Sequence, residues 1–221
     1  MIPKRINFTL VRHGETVTNL AGVMQGQSDG LLNDLGRQQA SAAADFLRDT
    51  HFDACYSSDL QRAAETARII LANGHPELEL RLEPSLREWY MGKLEGMRLD
   101  VLLRDYAELM RSFRYESGRV VAVPGGEDSA CFQERIRQGL LNIAARHHTG
   151  ENLLVVAHGA VLNMVLRIVV GSIAVGNRIP MMANAAISTI AYYPDEAAWE
   201  LLSWNRTDHL KELAAHETLV Y

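Results

Sequence analysis

Residues 6–16 read INFTLVRHGET. The first six are mostly apolar or β-branched and follow a basic pair, the pattern of a strand covered on both faces. The run then delivers Arg12 and His13, two side chains that are costly to bury, and drops to glycine at residue 14. In open parallel sheets, ligands bind at the carboxyl ends of the strands, where strand-to-helix turns gather. Arg12 and His13 therefore stand where a binding site is expected. Gly14 is expected to let backbone N–H groups approach a ligand closely, with a following helix start favouring an anion.

The same alternation continues along the chain. Strand-like runs occur at FDACYS (52–57), LELRL (78–82), NLLVVA (152–157), AISTIAYY (186–193) and WELLSW (199–204). Helical patterns lie between them. GRQQASAAADFLRD (36–49) follows a turn-like segment. SDLQRAAETARIILANG (58–74) opens with Ser58 and Gln61 in capping-box spacing and closes on an Asn-Gly stop signal. RLDVLLRDYAELMRSF (98–113) places Leu99, Leu102, Leu103, Tyr106, Met110 and Phe113 on one helical face, and SACFQERIRQGLLNIAARHH (129–148) follows the breaker cluster PGGED. Strands alternating with helices predict an α/β fold, a three-layer α/β/α sandwich around a mostly parallel central sheet. Residues 98–124 interrupt the alternation and are expected to form a small helical cap, inserted into a single domain spanning 1–221.

Composition narrows the function. The chain has 221 residues, 48% of them hydrophobic, and a formal charge of −5. That is enough for a full core, and it lacks the basic footprint of a nucleic-acid or membrane-surface binder. An anionic small molecule remains compatible, because a few arginines reverse the field of a cleft. The start MIPKRINFTL has no uninterrupted apolar h-region, so no secretory signal is expected. Asn163 and Arg167 break the most apolar stretch, which is too short to span a bilayer. The two cysteines, Cys55 and Cys131, form neither a disulfide framework nor a zinc spacing and fit a reducing cytoplasm.

Of the eight histidines, only His13 and His158 precede glycine, and both end strand-like runs. Each His-Gly step is expected to lead into a helix. Arg62 falls in the first turn of the 58–74 helix, where the dipole disfavours a cation, so an anion nearby would offset it. LREWYMGKLEG (86–96) adds Arg87, Glu88 and Glu95. A carboxyl desolvated beside Trp89 suits Glu88 to proton donation. Cys55 and Arg62 invite comparison with the cysteine-based phosphatases, but six residues separate them instead of five, Asp59 intervenes and glycines are lacking. Cys55 is expected in the core. His13, Glu15 and His158 lack the partners that a zinc deaminase or a His-Glu-x-x-His site requires.

Taken in order, LVRHGETVTN, MQGQSDGLLNDLGRQQA, YSSDLQRAAETA, LREWYMGKLEG, PGGED and VVAHGAVLNMVL resemble the histidine phosphatase superfamily, in the branch that includes cofactor-dependent phosphoglycerate mutase and fructose-2,6-bisphosphatase. The resemblance implies a three-layer α/β/α sandwich and assigns roles by position. His13 matches the nucleophile that becomes phosphohistidine, while Arg12, Arg62 and His158 match the phosphate pocket. Glu88 matches the general acid, Asn19, Gln25 and Gly26 match its border, and the Gly159 backbone joins it. The role of Glu15 is left open. No cofactor or metal is implied: two arginines, helped by a charged His158, can do a metal's work, each contributing roughly 4 kcal/mol at about 4 Å before desolvation.

The implied partner is a small phosphorylated metabolite. Hydrolysis is favoured over mutase activity, because the mutases carry a longer basic, proline-rich insertion and a TGW-type segment where this chain has MQGQSDG. The cap arginines Arg98, Arg104, Arg111, Arg114 and Arg119 alternate with acids, as on a solvated face. A catalytically inactive phospho-ligand binder is the remaining alternative, against which stands the retention of His13, Glu88 and both arginines. IVVGSIAVGNRIPMM (168–182) suits either a homodimer interface or core packing, and Asn184 either borders the pocket or forms a turn.

Overall fold

A computed structural model describes residues 4–115, 120–171 and 182–213, with residues 112–115 as backbone only. One six-stranded sheet runs through the molecule in the order β3-β2-β4-β1-β5-β6. These strands are β1 (Ile6–Arg12), β2 (Ala54–Ser57), β3 (Leu80–Leu82), β4 (Asn152–Ala157), β5 (Ile187–Tyr193) and β6 (Ala198–Arg206). The first four are mutually parallel, whereas β5 runs antiparallel to both β1 and β6. All six runs marked out by the sequence form strands.

Strand alternation sorts the side chains into two layers. Ile6, Phe8 and Leu10 of β1, with Leu153, Val155 and Ala157 of β4, pack under α6 (Ser129–Ala144) and α7 (Gly159–Val170). Val11, Leu154 and Val156 face α2 (Asp34–Leu47) and α3 (Gln61–Gly74) instead. Ala40, Ala43, Ala44 and Leu47 of α2 repeat at helical spacing and are buried. Asn33 caps that helix, its side-chain oxygen accepting from Gly36 N at 2.7 Å. Asp128 caps α6, accepting from the N–H groups of Ala130 and Cys131. Below it Phe132, Ile136, Leu140 and Ile143 are buried at i, i+4, i+8 and i+11, each adding about 1.5–3 kcal/mol over exposure.

Local expectations failed at two helices. No capping box forms at Ser58 and Gln61: α3 starts at Gln61 behind Leu60, which makes no side-chain cap bond, and Ser58 Oγ instead accepts from Leu60 N at 3.2 Å. The continuous helix expected over 98–113 breaks at Tyr106 into α4 (Leu99–Asp105) and α5 (Ala107–Tyr115). Leu103 is left 37% exposed, while Leu109 and Met110 join Leu102 and Tyr106 on Met91, Leu94 and Val123. The side chain of Phe113, part of the same expected face, lies outside the described residues.

Arg98 and Arg104 are exposed and paired with Asp100 and Asp105, and Arg111 is exposed. The side chains of Arg114 and Arg119 lie outside the described residues, as does most of the 168–182 stretch. Cys55 is a free, buried thiol whose pKa burial pushes up to about 12, and Cys131 is free and exposed. Among the described residues no helix is long and apolar enough to cross a membrane.

Candidate active site

Parallel pairing brings the two histidines together. Arg12 of β1 lies in register with Ala157 of β4, so the next residues, His13 and His158, meet at the carboxyl edge of the sheet. The His13 N–H donates to Ala157 O at 2.9 Å, and the two imidazoles lie 5.2 Å apart at 59°. Both rings are buried. Burial, reinforced by Arg62 and Arg12, pushes the His13 pKa well below the usual histidine range. His158 is pushed the same way by burial, Arg62, His13, Arg12 and Arg135. Burial beside cations therefore favours the neutral imidazole at His158, and the charged His158 expected from sequence requires the phosphate itself as its counter-ion.

The two rings are held differently. Nδ1 of His13 lies 2.7 Å from Gly14 O, an acceptor, so Nδ1 carries the proton and Nε2 presents a lone pair. Among the described residues, neither ring nitrogen of His158 has a partner, although both are buried. Such orphaned groups at a polar site point to a ligand that completes them.

The glycines also differ. The N–H of Gly14 is spent within the protein, donating to Thr66 Oγ1 at 3.0 Å. Glycine is needed there because a Cβ would overlap the carbonyl of Gly36, whose own Cβ would in turn overlap the Glu15 backbone. No full helix follows directly either; α1 (Val17–Leu20) is one short turn, capped by Thr16. Gly159, by contrast, opens α7 at once, and a Cβ there would lie 3.4 Å from Arg12 Nε.

Arg12 and Arg62 are both buried, and the charges of both act on His13 and His158. Arg12 Nη1 donates to Met182 O, and its Nε has no partner. Burial lowers its pKa to about 10, still high enough to keep the guanidinium charged at neutral pH. Arg62, second residue of α3, donates to Gly26 O at 2.6 Å and Ser28 O at 2.8 Å, and its Nε is also unpartnered. Those two bonds fold the 25–28 loop over the pocket, with Gln25 buried and its Oε1 unsatisfied. Gly26 has φ +55°, and a Cβ there would overlap the Glu95 carboxylate. Glu95 in turn accepts from Gln27 N at 2.8 Å and Met91 N at 3.0 Å.

Asn19 sits on α1, its Oδ1 accepting from Thr16 N at 3.2 Å and from Asn184 Nδ2 at 3.4 Å. Asn184 also donates to His13 O at 3.1 Å, which settles its place beside the nucleophile candidate. Glu15 is buried and turned to α2, its Oε1 accepting from Asn33 Nδ2 at 2.6 Å. Arg87 spends its fork on Asp59, at 2.8 and 2.5 Å, and holds that carboxyl below its usual range.

Glu88 arrives from the segment after β3, half-buried. Its Oε1 accepts from Trp89 N at 2.9 Å and its Oε2 from Ala160 N, in the first turn of α7, at 3.1 Å. The Trp89 indole stacks on Phe132 at 5.0 Å and donates to Glu127 O at 2.7 Å. Sequence reasoning missed Thr66, Gln27, and Arg135, whose guanidinium lies under the Glu88 segment. Among the described residues, no group of three or more histidines, cysteines or acids is placed to hold a metal ion.

Two charged guanidinium groups and two neutral imidazoles thus cluster with Glu88 at the start of α7. Such a cluster suits a tetrahedral anion. Comparison with known proteins agrees. The model of the histidine phosphatase superfamily (branch 1) matches residues 8–207. A metal-independent phosphoserine phosphatase of Arabidopsis thaliana is 33% identical over 208 residues, covering 93% of this chain and 84% of that one. The crystal structure of phosphoglycerate mutase from Bacillus anthracis superposes with a TM-score of 0.83 at 26% identity, covering 94% and 96% of the two chains. A mycobacterial glucosyl-3-phosphoglycerate phosphatase, in complex with VO3, gives 0.80 at 27% identity, covering 91% and 99%.

Proposed function

The chain belongs to branch 1 of the histidine phosphatase superfamily, and from that premise we propose that it is a metal-independent phosphomonoester hydrolase acting on a small phosphorylated metabolite. The observation that carries the proposal is the pinned tautomer of His13, with Nε2 unprotonated among Arg12, Arg62 and His158.

In the first step Nε2 of His13 attacks phosphorus in line and the ester P–O bond breaks. Glu88 passes a proton to the departing alkoxide, each carboxyl oxygen having a lone pair beyond its backbone bond. Charge on the equatorial oxygens is met by Arg12, Arg62 and a ring N–H of His158, one being available in the neutral imidazole. Such preorganised donors in a dry site are worth more than in water. In the second step Glu88, now a carboxylate, takes a proton from water. The oxygen of that water attacks phosphorus, the P–N bond breaks, and orthophosphate leaves. Asn19, Gln25, Gly26 and the Gly159 backbone border the phosphate, while residues 98–124 act as a cap on a single domain. A cytoplasmic setting fits the two free thiols.

The superposition on a phosphoglycerate mutase favours a second reading, in which the phosphoryl group is handed to a second bound substrate. One assay separates the two. In EDTA, release of orthophosphate from 3-phosphoglycerate and other phosphomonoesters should outpace bisphosphate-stimulated formation of 2-phosphoglycerate; the reverse order would make the chain a mutase. Glu88→Gln should cost alkyl phosphates about 100-fold or more in kcat and p-nitrophenyl phosphate far less. Equal losses would remove Glu88 from the role of acid.

A further inference from the structure

Glu88 sits in an irregular segment between two 3₁₀ turns, Pro84–Leu86 and Gly92–Leu94. No strand ladder fixes such a backbone, so its carbonyls must find partners elsewhere. Three find the same one. Arg135, on α6, donates through Nη1 to Ser85 O and Arg87 O, both at 2.8 Å, and through Nη2 to Glu88 O at 3.3 Å. Its other edge is held by Glu127, with Nε to Oε1 at 2.9 Å and Nη2 to Oε2 at 2.7 Å. The five N–H groups of the guanidinium are thereby spent, and none remains to bind phosphate.

Glu127 ties the segment a second way. Its carbonyl accepts from the Trp89 indole, and its N–H donates to Tyr90 O at 2.9 Å. The platform itself is stiff. Arg135 lies over Phe132 at 5.2 Å, Phe132 stacks on Trp89, and Phe132 and Ile136 root α6 in the core. Ala160 N, the partner of Glu88 Oε2, belongs to α7 of the same layer. The backbone and the carboxylate of Glu88 are thus both referred to one rigid helix layer.

Building on Glu88 as the acid of the proposed hydrolase, we propose that Arg135, oriented by Glu127, is the positioning residue that sets Glu88 at the leaving-group oxygen. Lysine cannot replace it: one ammonium does not span three carbonyls while forking onto a carboxylate. A displacement of about 1 Å is enough to cost a transferred proton, and about 100-fold in rate, without emptying the pocket.

The test pairs two leaving groups. In Arg135→Lys and in Glu127→Gln, kcat on β-glycerophosphate should fall about 10- to 100-fold, while kcat on p-nitrophenyl phosphate, whose leaving group needs little protonation, should fall less than threefold. Vanadate inhibition should be unchanged. In a Glu88→Gln background, Arg135→Lys should cost the alkyl ester no more than a further twofold, because the group it positions is already gone. Thermal melts identify a variant that fails to fold, in which case Glu127→Gln, which keeps the three carbonyl bonds, carries the test. Equal losses on both esters, or full additivity with Glu88→Gln, would reduce Arg135 to a stabilising tether and overturn the positioning role. A wild-type chain inert on both esters would instead sink the hydrolase, and this role with it; Glu88→Gln losing equally on both would sink only the acid and what positions it.

Discussion

At His13–Gly14 the imidazole is pinned through Nδ1 to its neighbour's carbonyl, and the glycine exists so that β1 can touch the Gly36 backbone at the start of α2. At His158–Gly159 the imidazole has no partner on either nitrogen among the described residues, and the glycine leaves space for Arg12. The same dipeptide, at the same edge of neighbouring strands, is in one case braced by the protein and in the other left for a ligand to complete. A nucleophile needs a fixed tautomer before substrate arrives; a phosphate donor needs uncommitted nitrogens. For the proposed hydrolase, that difference assigns attack to His13 and the phosphate contact to His158.

Substituting each histidine in turn tests the division most severely. His13→Ala should lower kcat by about 10^4-fold or more, as loss of a nucleophile does, with no phosphoenzyme formed. His158→Ala should lower it by about 100- to 1,000-fold, the range for one missing transition-state donor, and should still form the phosphoenzyme slowly. Steady-state kinetics with quenched-flow trapping reads both, and equal losses would erase the distinction.

The glycines come next. Gly14→Ala forces a side chain into backbone that has nowhere to go and should cost about 3 kcal/mol in urea denaturation. Gly159→Ala, with 3.4 Å to the nearest atom of Arg12, should change stability by less than about 1 kcal/mol and show itself instead as a KM raised a few-fold. A Gly14→Ala protein as stable as wild type would contradict the packing role.

The smallest effect is in stability against pH. Both buried histidines have depressed pKa values, so below about pH 6.5 the unfolded chain takes up protons there that the native chain refuses. Their contribution is fully present above that pH and is lost as pH falls. His13→Asn should remove about 1.4 kcal/mol per pH unit from the acid-side slope, read from denaturation at pH 5.0–6.5. An unchanged slope would mean that His13 is not held neutral. A bound phosphate dianion should flatten the wild-type slope, because it stabilises the imidazolium forms.

The six strands and the convergence of Arg12, His13, Arg62, Glu88 and His158 were legible in the sequence because each rests on a local pattern repeated at one sheet edge. What was not legible depends on partners distant along the chain. Gly14 reads like a ligand-facing glycine until α2 is seen against it. Arg135, flanked by Glu134 and Arg137, reads like a surface charge on a solvated helix until the Glu88 segment is folded onto it. The break at Tyr106 carries no proline or glycine to announce it, and residues on both sides of it pack with Met91, Leu94 and Val123. The neutrality of His158 depends first on its own burial and then on cationic neighbours, none of which a single sequence window contains.

The most direct test is where the phosphoryl group goes. Wild-type protein and His158→Ala, incubated with a labelled phosphomonoester in EDTA and quenched in alkali, should each carry acid-labile phosphate on Nε2 of His13. Label on His158, on Nδ1 of His13, or on no histidine at all during sustained turnover would contradict the account.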